Sequence, residues 1–111
     1  MAQEKNFENK IKKYLKDNGA WFLKYWAGAS YTKAGIPDIL ACINGYFVAI
    51  EVKASNGRPS ELQLYNLREI DKAGGFGFLL YPKGYEDFVD FIKDLLHGNI
   101  DRNFYEMIRG W

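Results

Sequence analysis

Asn44-Gly45 is the feature that most constrains this fold, because an Asn-Gly pair is a strong signal for a two-residue β-hairpin turn. The pair lies between two runs rich in β-branched and aromatic residues, Ile39 to Ile43 and Tyr46 to Val52. A two-residue loop places Ile43 opposite Tyr46 and so determines which residues face each other along both strands. The sequence therefore predicts an antiparallel hairpin of known register.

Three charged groups are expected to meet at one end of this hairpin. The register places Asp38 opposite Glu51, with their β-carbons about 5 Å apart. Lys53 lies two residues beyond Glu51 and therefore emerges on the same face. Glu51 is the only charged residue within Tyr46 to Val52, and its apolar neighbours look buried. A strand-capping aspartate and an idle surface ion pair explain this pattern poorly, and a functional site explains it better.

Two carboxylates and an ammonium suit the metal-dependent hydrolysis of a phosphodiester. Mg²⁺ prefers oxygen ligands and can activate a bound water molecule as the nucleophile. Candidate ligands are Asp38, Glu51 and the backbone carbonyl of Val52, while Lys53 is a candidate for orienting the water and stabilising charge on the phosphate. A zinc site is not expected, because the chain has one His and one Cys. We therefore expect a Mg²⁺ cofactor and no small-molecule cofactor.

Length and composition predict a single cytoplasmic domain over residues 1–111. The chain is 48% hydrophobic and 17% aromatic, which suffices for a buried core. It contains no long apolar stretch and no apolar signal region near Met1, so a membrane segment is not expected. The only cysteine, Cys42, lies among apolar residues and is expected to be a buried thiol.

Charge patterning points to local rather than global attraction of nucleic acid. A formal net charge of +1 is too small to make the whole surface bind a polyanion. Lysines are concentrated in the first predicted helix, where Lys12 and Lys13 are candidate DNA contacts. A solvated helix face explains the same lysines equally well. Acidic residues within 86–94 line a later helix, which we expect to lie away from a bound phosphate backbone.

The remaining patterns predict an α/β fold with the order helix-β-β-β-helix-β-helix. Apolar residues at helical spacing predict helices over 4–18, from Ser60 to the Gly74-Gly75 stop, and over 85–96, and residues 99–111 could form another. Aromatic-rich runs over 21–26 and 76–81 predict two strands beside the hairpin. A helix between the third and fourth strands permits a parallel crossover, which gives a central mixed sheet flanked by helices. Apolar side chains on both sides of the hairpin predict that both of its faces are covered.

The motif residues resemble those of a nuclease superfamily. Residues 35–40, Gly-Ile-Pro-Asp-Ile-Leu, followed by 50–54, Ile-Glu-Val-Lys-Ala, resemble the PD-(D/E)xK signature. The continuation Arg58-Pro59-Ser60-x-x-Gln63 is similar to that of the virus-type replication-repair nuclease (VRR-NUC) branch. The resemblance covers nearly the whole chain and implies a restriction-endonuclease-like fold, dependence on Mg²⁺ or Mn²⁺, and action on DNA. Stand-alone phage members resemble homodimeric Holliday-junction resolvases, which implies a homodimer that cuts branched DNA in a bacterial host cell.

Two further site residues are implied by this resemblance. Glu8 matches a carboxylate that such nucleases place on the first helix beside the metal, where it binds directly or through water. Its position on the apolar stripe of that helix is unusual for a charged residue, although a first-turn glutamate also suits the helix dipole. Gln63 matches a polar residue that positions a phosphate or water. Ser60-x-x-Gln63 is also a capping box, so both explanations of Gln63 stay open.

Loops beside the carboxylates are expected to contact the substrate. Ser30, Tyr31 and Lys33 precede Asp38, and Arg58 follows the predicted catalytic strand. Hydroxyl and cationic side chains are the usual contacts to DNA phosphates. Solvated loops have the same composition, so these four residues are the weakest of the candidates.

The sequence is consistent with three functions. The favoured one is a structure-specific endonuclease that leaves a 5′-phosphate, as the resemblance implies. The alternatives are a sequence-specific restriction endonuclease and a non-catalytic nucleic-acid-binding or assembly module on the same fold, although the presence of all proposed ligands argues against the latter. A domain this small lacks a second recognition module, which favours a homodimer that recognises DNA shape. Exposed aromatic residues such as Trp26, Tyr65 and Trp111 could form its interface.

Overall fold

The structure, a computed structural model, describes residues 2–26 and 33–111. Its elements in chain order are α1 (Ala2–Asp17), β1 (Trp21–Lys24), β2 (Ile39–Ile43), β3 (Tyr46–Val52), α2 (Glu61–Lys72), β4 (Phe76–Leu80), α3 (Tyr85–Leu96) and α4 (Arg102–Ile108). A short 3-10 turn, Pro82–Gly84, precedes α3. The order confirms the predicted α/β architecture, and α4 is the helix that residues 99–111 could form. Within the described ranges, no helix is both long and apolar enough to cross a membrane.

The sheet has four strands in the spatial order β1-β2-β3-β4. The first three strands are antiparallel neighbours, and β3 pairs in parallel with β4 through the α2 crossover. Ile43 pairs with Tyr46, as the two-residue turn predicted. Asn44 and Gly45 have φ angles of 50° and 85°, which this type of tight turn requires at both central positions. The mixed sheet and the hairpin register are therefore confirmed.

The hydrophobic core lies on the face of the sheet that α1, α3 and α4 cover. Phe7, Ile11 and Leu15 are buried at i, i+4 and i+8 along α1, which is the spacing of one helix face. The other end of the core is an aromatic cluster in which ring centroids lie 5.0 to 5.8 Å apart, made by Phe76, Phe78, Phe91 and Tyr105. Burying each such side chain contributes roughly 1.5–3 kcal/mol, so this face supplies most of the hydrophobic stabilisation.

The opposite face of the sheet is only half covered, which corrects two predictions. Among the described residues, the helix on this side is α2, which packs on β3 and β4 and places Leu67 against Gly77. Beyond it, Trp21 is 65% exposed, Phe47 is 45% exposed, and Cys42 between them is exposed as well. The predictions of a hairpin covered on both faces and of a buried Cys42 are therefore wrong, because one helix is too narrow to cover four strands.

The C-terminal segment closes the outer edge of β4. The backbone N–H of Leu79 donates to the carbonyl of Arg109 at 2.8 Å, and the Trp111 indole donates to the carbonyl of Gly77 at 2.8 Å. A β-carbon on Gly110, which has a positive φ, would collide with the Leu79 carbonyl oxygen. Trp111, expected among the exposed interface aromatics, is therefore partly buried and serves the fold of its own chain.

Candidate active site

Asp38, Glu51 and Lys53 lie together at the end of the sheet where β3 finishes. Asp38 directly precedes β2, and its Oδ2 accepts a hydrogen bond of 2.8 Å from the backbone N–H of Val52. This bond fixes the Asp38 carboxylate beside the strand that carries Glu51. Lys53 Nζ lies 3.3 Å from Glu51 Oε2. The hairpin register thus brings the three charged groups together as the sequence predicted.

Glu51 is the one buried charged residue of the described chain, with 2% of its surface exposed. Burial raises the pKa of its carboxyl to about 8, and the negative charge of Asp38 acts in the same direction while Lys53 opposes both. Glu51 Oε2 pairs with the Lys53 ammonium and accepts a hydrogen bond from the Gln63 side-chain amide. Oε1 is buried with no hydrogen-bond partner among the described residues. An unpartnered carboxylate oxygen beside a second carboxylate fits a divalent cation, whose positive charge would favour the ionised form.

Glu8 reaches this site from α1 through a lysine that sequence analysis did not identify. Lys24 Nζ lies 2.7 Å from Glu8 Oε1 and 3.5 Å from Asp38 Oδ1, so it bridges the two carboxylates. Lys12 Nζ lies 3.2 Å from the other Glu8 oxygen. Burial by itself would raise the pKa of Glu8, but the Lys24 and Lys12 ammonium groups outweigh it and hold that pKa below its ordinary value. Glu8 is therefore an ionised carboxylate beside Asp38.

The three carboxylates do not form a single metal-binding cluster. Residues 2–26 and 33–111 contain no group of three or more His, Cys, Asp and Glu side chains placed to hold one ion. The ammonium of Lys24 lies between two of them and contacts both Glu8 and Asp38. The fit to a metal therefore rests on Asp38 and Glu51, and a direct bond from Glu8 would require Lys24 to move.

Gln63 forms the predicted helix cap and also contacts Glu51, while its role towards a phosphate or water stays a prediction. Its backbone N–H donates to Ser60 Oγ at 3.1 Å, and its side-chain oxygen accepts from the Ser60 N–H at 2.9 Å, which completes the capping box. The remaining amide group, Nε2, donates to Glu51 Oε2 at 3.0 Å. Because the cap fixes the side-chain oxygen, the amide N–H₂ is held towards Glu51. The two explanations are compatible.

The weaker candidates for DNA contact lie in different surroundings. Ser30 and Tyr31 are outside the described residues, and Lys33 is exposed, with its backbone N–H donating to the Tyr25 hydroxyl at 2.8 Å. Arg58 is exposed and lines a cleft beside Lys53. Lys13 forms an exposed pair with Asp17 at 2.8 Å, whereas Lys12 pairs with the Glu8 carboxylate. The structure therefore connects Lys12, but not Lys13, to the candidate site.

A comparison with family models supplies the identity of the fold. The model of the archaeal Holliday junction resolvase (Hjc) family matches residues 2–77, from the start of α1 into β4, and this range contains every site residue described above. A comparison with curated proteins finds no match. Placement in the VRR-NUC branch is not confirmed and stays a prediction. With more than half of its length matched, and with the PD-(D/E)xK residues assembled at one end of a mixed sheet, the chain belongs to the archaeal Holliday junction resolvase family, whose members are nucleases.

Proposed function

We propose that this protein is a divalent-metal-dependent endonuclease that hydrolyses phosphodiester bonds of four-way DNA junctions as a homodimer. The observation that carries the proposal is the buried Glu51 carboxylate, whose Oε1 has no partner among the described residues and which lies beside Asp38 and Lys53. Family membership supplies the substrate class, because these nucleases are named for Holliday junctions.

Asp38 and Glu51 are the residues proposed to hold the metal. Both offer carboxylate oxygens, which Mg²⁺ and Mn²⁺ prefer, and the Val52 carbonyl and Glu8, through water, are further candidates. A bound ion of this kind neutralises phosphoryl oxygens and lowers the pKa of a bound water. The Val52 N–H holds Asp38 in place, and the Gln63 amide holds Glu51.

Lys53 is proposed to act on the water or the phosphate. Its side chain is only 14% exposed, and its ammonium is held 3.3 Å from Glu51 Oε2. A fixed ammonium stabilises negative charge that develops on a phosphate in the transition state, and it needs little reorganisation to do so. Lys24, which bridges Glu8 and Asp38, is proposed to keep those two carboxylates at the substrate-facing end of the sheet.

The uncovered half of the sheet supports a homodimer. Its exposed side chains on β1, β2 and β3 form what we call the open face, defined by Trp21, Leu23, Cys42 and Phe47. Tyr65 on the neighbouring α2 is half exposed. Exposed apolar surface of this kind is typical of interaction sites, and a two-fold axis would bury the same face of both copies. Two active sites would then be available for symmetric cuts in the two strands of a junction.

The substrate class is tested with linear, flap and four-way DNA incubated with the protein and Mg²⁺. We expect paired cuts in the four-way junction, 5′-phosphate ends, little cutting of linear duplex, and no cutting in EDTA. Cuts at one discrete sequence in linear DNA would instead support a restriction endonuclease. Tight binding to the junction without any cutting would support a non-catalytic module.

The roles of the site residues are tested with Asp38→Asn and Lys53→Ala. We expect each to lower kcat by roughly 10² or more, because Asp38→Asn weakens a proposed metal ligand and Lys53→Ala removes an ammonium that stabilises charge on the phosphate. Asp17→Asn and Lys93→Ala remove the same kinds of charge on exposed helix surfaces and serve as matched controls. Circular dichroism checks that all four variants fold. Unchanged cutting by either Asp38→Asn or Lys53→Ala would contradict the proposed site.

The dimer is tested with Trp21→Arg combined with Phe47→Asp on the open face. These charges would be buried without partners in a dimer, so we expect a shift from dimer to monomer in analytical ultracentrifugation. Met107→Asp, at an 82% exposed apolar residue of α4, is the control. Wild-type protein that sediments as a monomer at all accessible concentrations would refute the homodimer.

A further inference from the structure

The polar cleft that Arg58 lines lies beside the candidate active site, at the carboxyl ends of the two parallel strands. It has a volume of about 390 Å³ and lies between the loop that follows β3 and the turn that follows β4, lined by Ser55, Asn56, Gly57, Arg58, Tyr81 and Lys83. No residue of this lining is acidic. Ligands of open α/β sheets bind outside the carboxyl ends of parallel strands, and β3 and β4 are the parallel pair here.

Two cations of this cleft have no acidic partner in the described part of the chain. Among the described residues, seven other lysines and arginines form ion pairs, namely Lys12, Lys13, Lys24, Lys53, Lys72, Arg102 and Arg109, whereas exposed cations away from the cleft, such as Arg68 and Lys93, form none. Arg58 and Lys83 form none, and both are exposed. Two uncompensated charges on different loops that converge on one concave surface are typical of an anion site.

The walls of the cleft are held by specific hydrogen bonds. Ser55 is held from α1, because its N–H donates to Gln3 Oε1 at 2.9 Å and its Oγ accepts from Gln3 Nε2 at 3.3 Å. Tyr81 joins the two loops by donating its hydroxyl to the carbonyl of Gly57 at 3.0 Å. The concave shape is therefore built by contacts from three separate parts of the chain.

Lys53 lies close both to the carboxylates and to this cleft. A β-carbon on Gly57 would lie 3.3 Å from both Cβ and Cδ of Lys53. The Lys53 side chain therefore packs against Gly57, which lines the cleft. The other side of the cleft, Tyr81 and Lys83, follows β4, which neighbours β3 in the sheet at a spacing of about 5 Å. A nucleic-acid strand whose phosphate contacts Lys53 would carry a neighbouring phosphate past this cleft.

We propose that the cleft is a DNA backbone subsite, in which Arg58 and Lys83 bind a phosphodiester that neighbours the one being cut. This subsite rests on the proposed nuclease function. It adds Lys83, and Tyr81 in the wall of the cleft, to the substrate-binding residues, and it has Arg58 and Lys83 bind the same phosphate. The subsite binds a phosphate without reading a base, as suits an enzyme that recognises DNA shape. It contributes to affinity and position, while Asp38, Glu51 and Lys53 act on the scissile bond.

The test is the salt dependence of binding to a labelled four-way junction in EDTA, measured by fluorescence anisotropy. We expect Arg58→Ala/Lys83→Ala to raise Kd about tenfold and to reduce the slope of log Kd against log salt by about one, because one phosphate contact is lost. Arg68→Ala/Lys93→Ala removes the same two charges from exposed positions on α2 and α3 and is the matched control. Equal Kd values and slopes for the two double variants would overturn the subsite.

A second measurement distinguishes a DNA strand from a free anion. The backbone amide signals of Asn56 and Gly57 are followed by NMR while either a short oligonucleotide or inorganic phosphate is added. Larger shifts at lower concentration with the oligonucleotide support the proposal. Equal response to both at the same phosphate concentration means an adventitious ion only, and overturns it.

Failure of the subsite and failure of the nuclease assignment give different results. If wild-type protein does not cut DNA but the anisotropy result holds, the nuclease proposal fails and the phosphate subsite stands. If wild-type protein cuts junctions and the cleft variant has the KM of its control, the subsite alone fails. The expected kinetic result is a KM about tenfold higher with a much smaller change in kcat.

Discussion

Two charged networks connect distant parts of the described chain, and among its residues one of them leaves a buried side-chain oxygen without a hydrogen-bond partner. The site network joins α1, β1 and the hairpin and consists of Glu8, Lys12, Lys24, Asp38, Glu51 and Lys53. The Asp71 network joins the end of α2 to the C-terminal region and consists of Asp71, Arg102 and Arg109. The first lies wholly within the range matched by the Hjc family, whereas both arginines of the second lie beyond it.

The difference lies in how completely each carboxylate is satisfied. Asp71 Oδ1 is 3.2 Å from Arg102 and 3.7 Å from Arg109, and the two guanidinium groups also stack on aromatic rings. Glu51 is nearly inaccessible, has one oxygen without a partner in the described chain, and has a pKa raised to about 8. A carboxylate kept in such surroundings costs stability, which is expected of a group retained for function. We therefore expect the Asp71 network to stabilise the fold and the site network to serve chemistry.

Glu51→Gln is the substitution with the largest expected effect, and it tests whether the site network serves chemistry rather than stability. We expect cleavage of a four-way junction to fall by roughly 10² or more, because the main candidate metal ligand loses its charge. At pH 8 to 9 without metal, we expect the same variant to unfold at a higher temperature than wild type, since the buried charge is removed. Paired activity and thermal-unfolding measurements check both. A variant that is less active and also less stable at high pH would mean that Glu51 is a structural residue.

The pH dependence of stability is the next largest effect. The folded-state pKa of Glu51, about 8, lies above its unfolded value of 4.5, so the folded protein binds an extra proton between these values. The contribution of this group to the free energy of unfolding without metal should therefore be fully present below about pH 4.5, should fall by a few kcal/mol as pH rises from there through about 8, and should level off above.

Denaturant unfolding at a series of pH values measures this slope. Glu51→Gln should lack it, while Asp71→Asn should retain it. Added Mg²⁺ should reduce or reverse the slope in wild type, since an ion that binds the carboxylate favours its ionised form. If the free energy of unfolding of Glu51→Gln had the same slope against pH as that of wild type, the extra proton of the folded protein would be bound by another group.

Local patterns in the sequence predicted the parts of the site that lie on one hairpin. Asn44-Gly45 determined the register, and strand alternation then placed Asp38, Glu51 and Lys53 at one end. The capping box of Gln63 was also local, because its partners are three residues apart. None of these required knowledge of how the helices pack.

The parts that could not be predicted depend on packing between distant elements. Lys24 contacts Glu8 only because α1 lies against β1, and its own strand gave no signal beyond a charged end. The exposure of Cys42 depends on how many helices cover the α2 side of the sheet, which apolar alternation within one hairpin does not reveal. The cleft of Arg58 and Lys83 likewise joins two loops separated by a helix and a strand.

The smallest expected effect is that of Asp71→Asn, which tests whether the Asp71 network stabilises the fold without affecting catalysis. Its carboxylate is 25% exposed and receives two arginines, so we expect a loss of about 1–2 kcal/mol in the free energy of unfolding, less than for a fully buried pair. Junction cleavage at a temperature where both proteins are folded should stay within about twofold of wild type. Glu69→Gln, which removes an exposed partner of Lys72 on the same helix, should cost less than about 0.5 kcal/mol. If Asp71→Asn instead lowered kcat as strongly as Glu51→Gln, the two networks would be coupled, and the division between a network for folding and a network for chemistry would not hold.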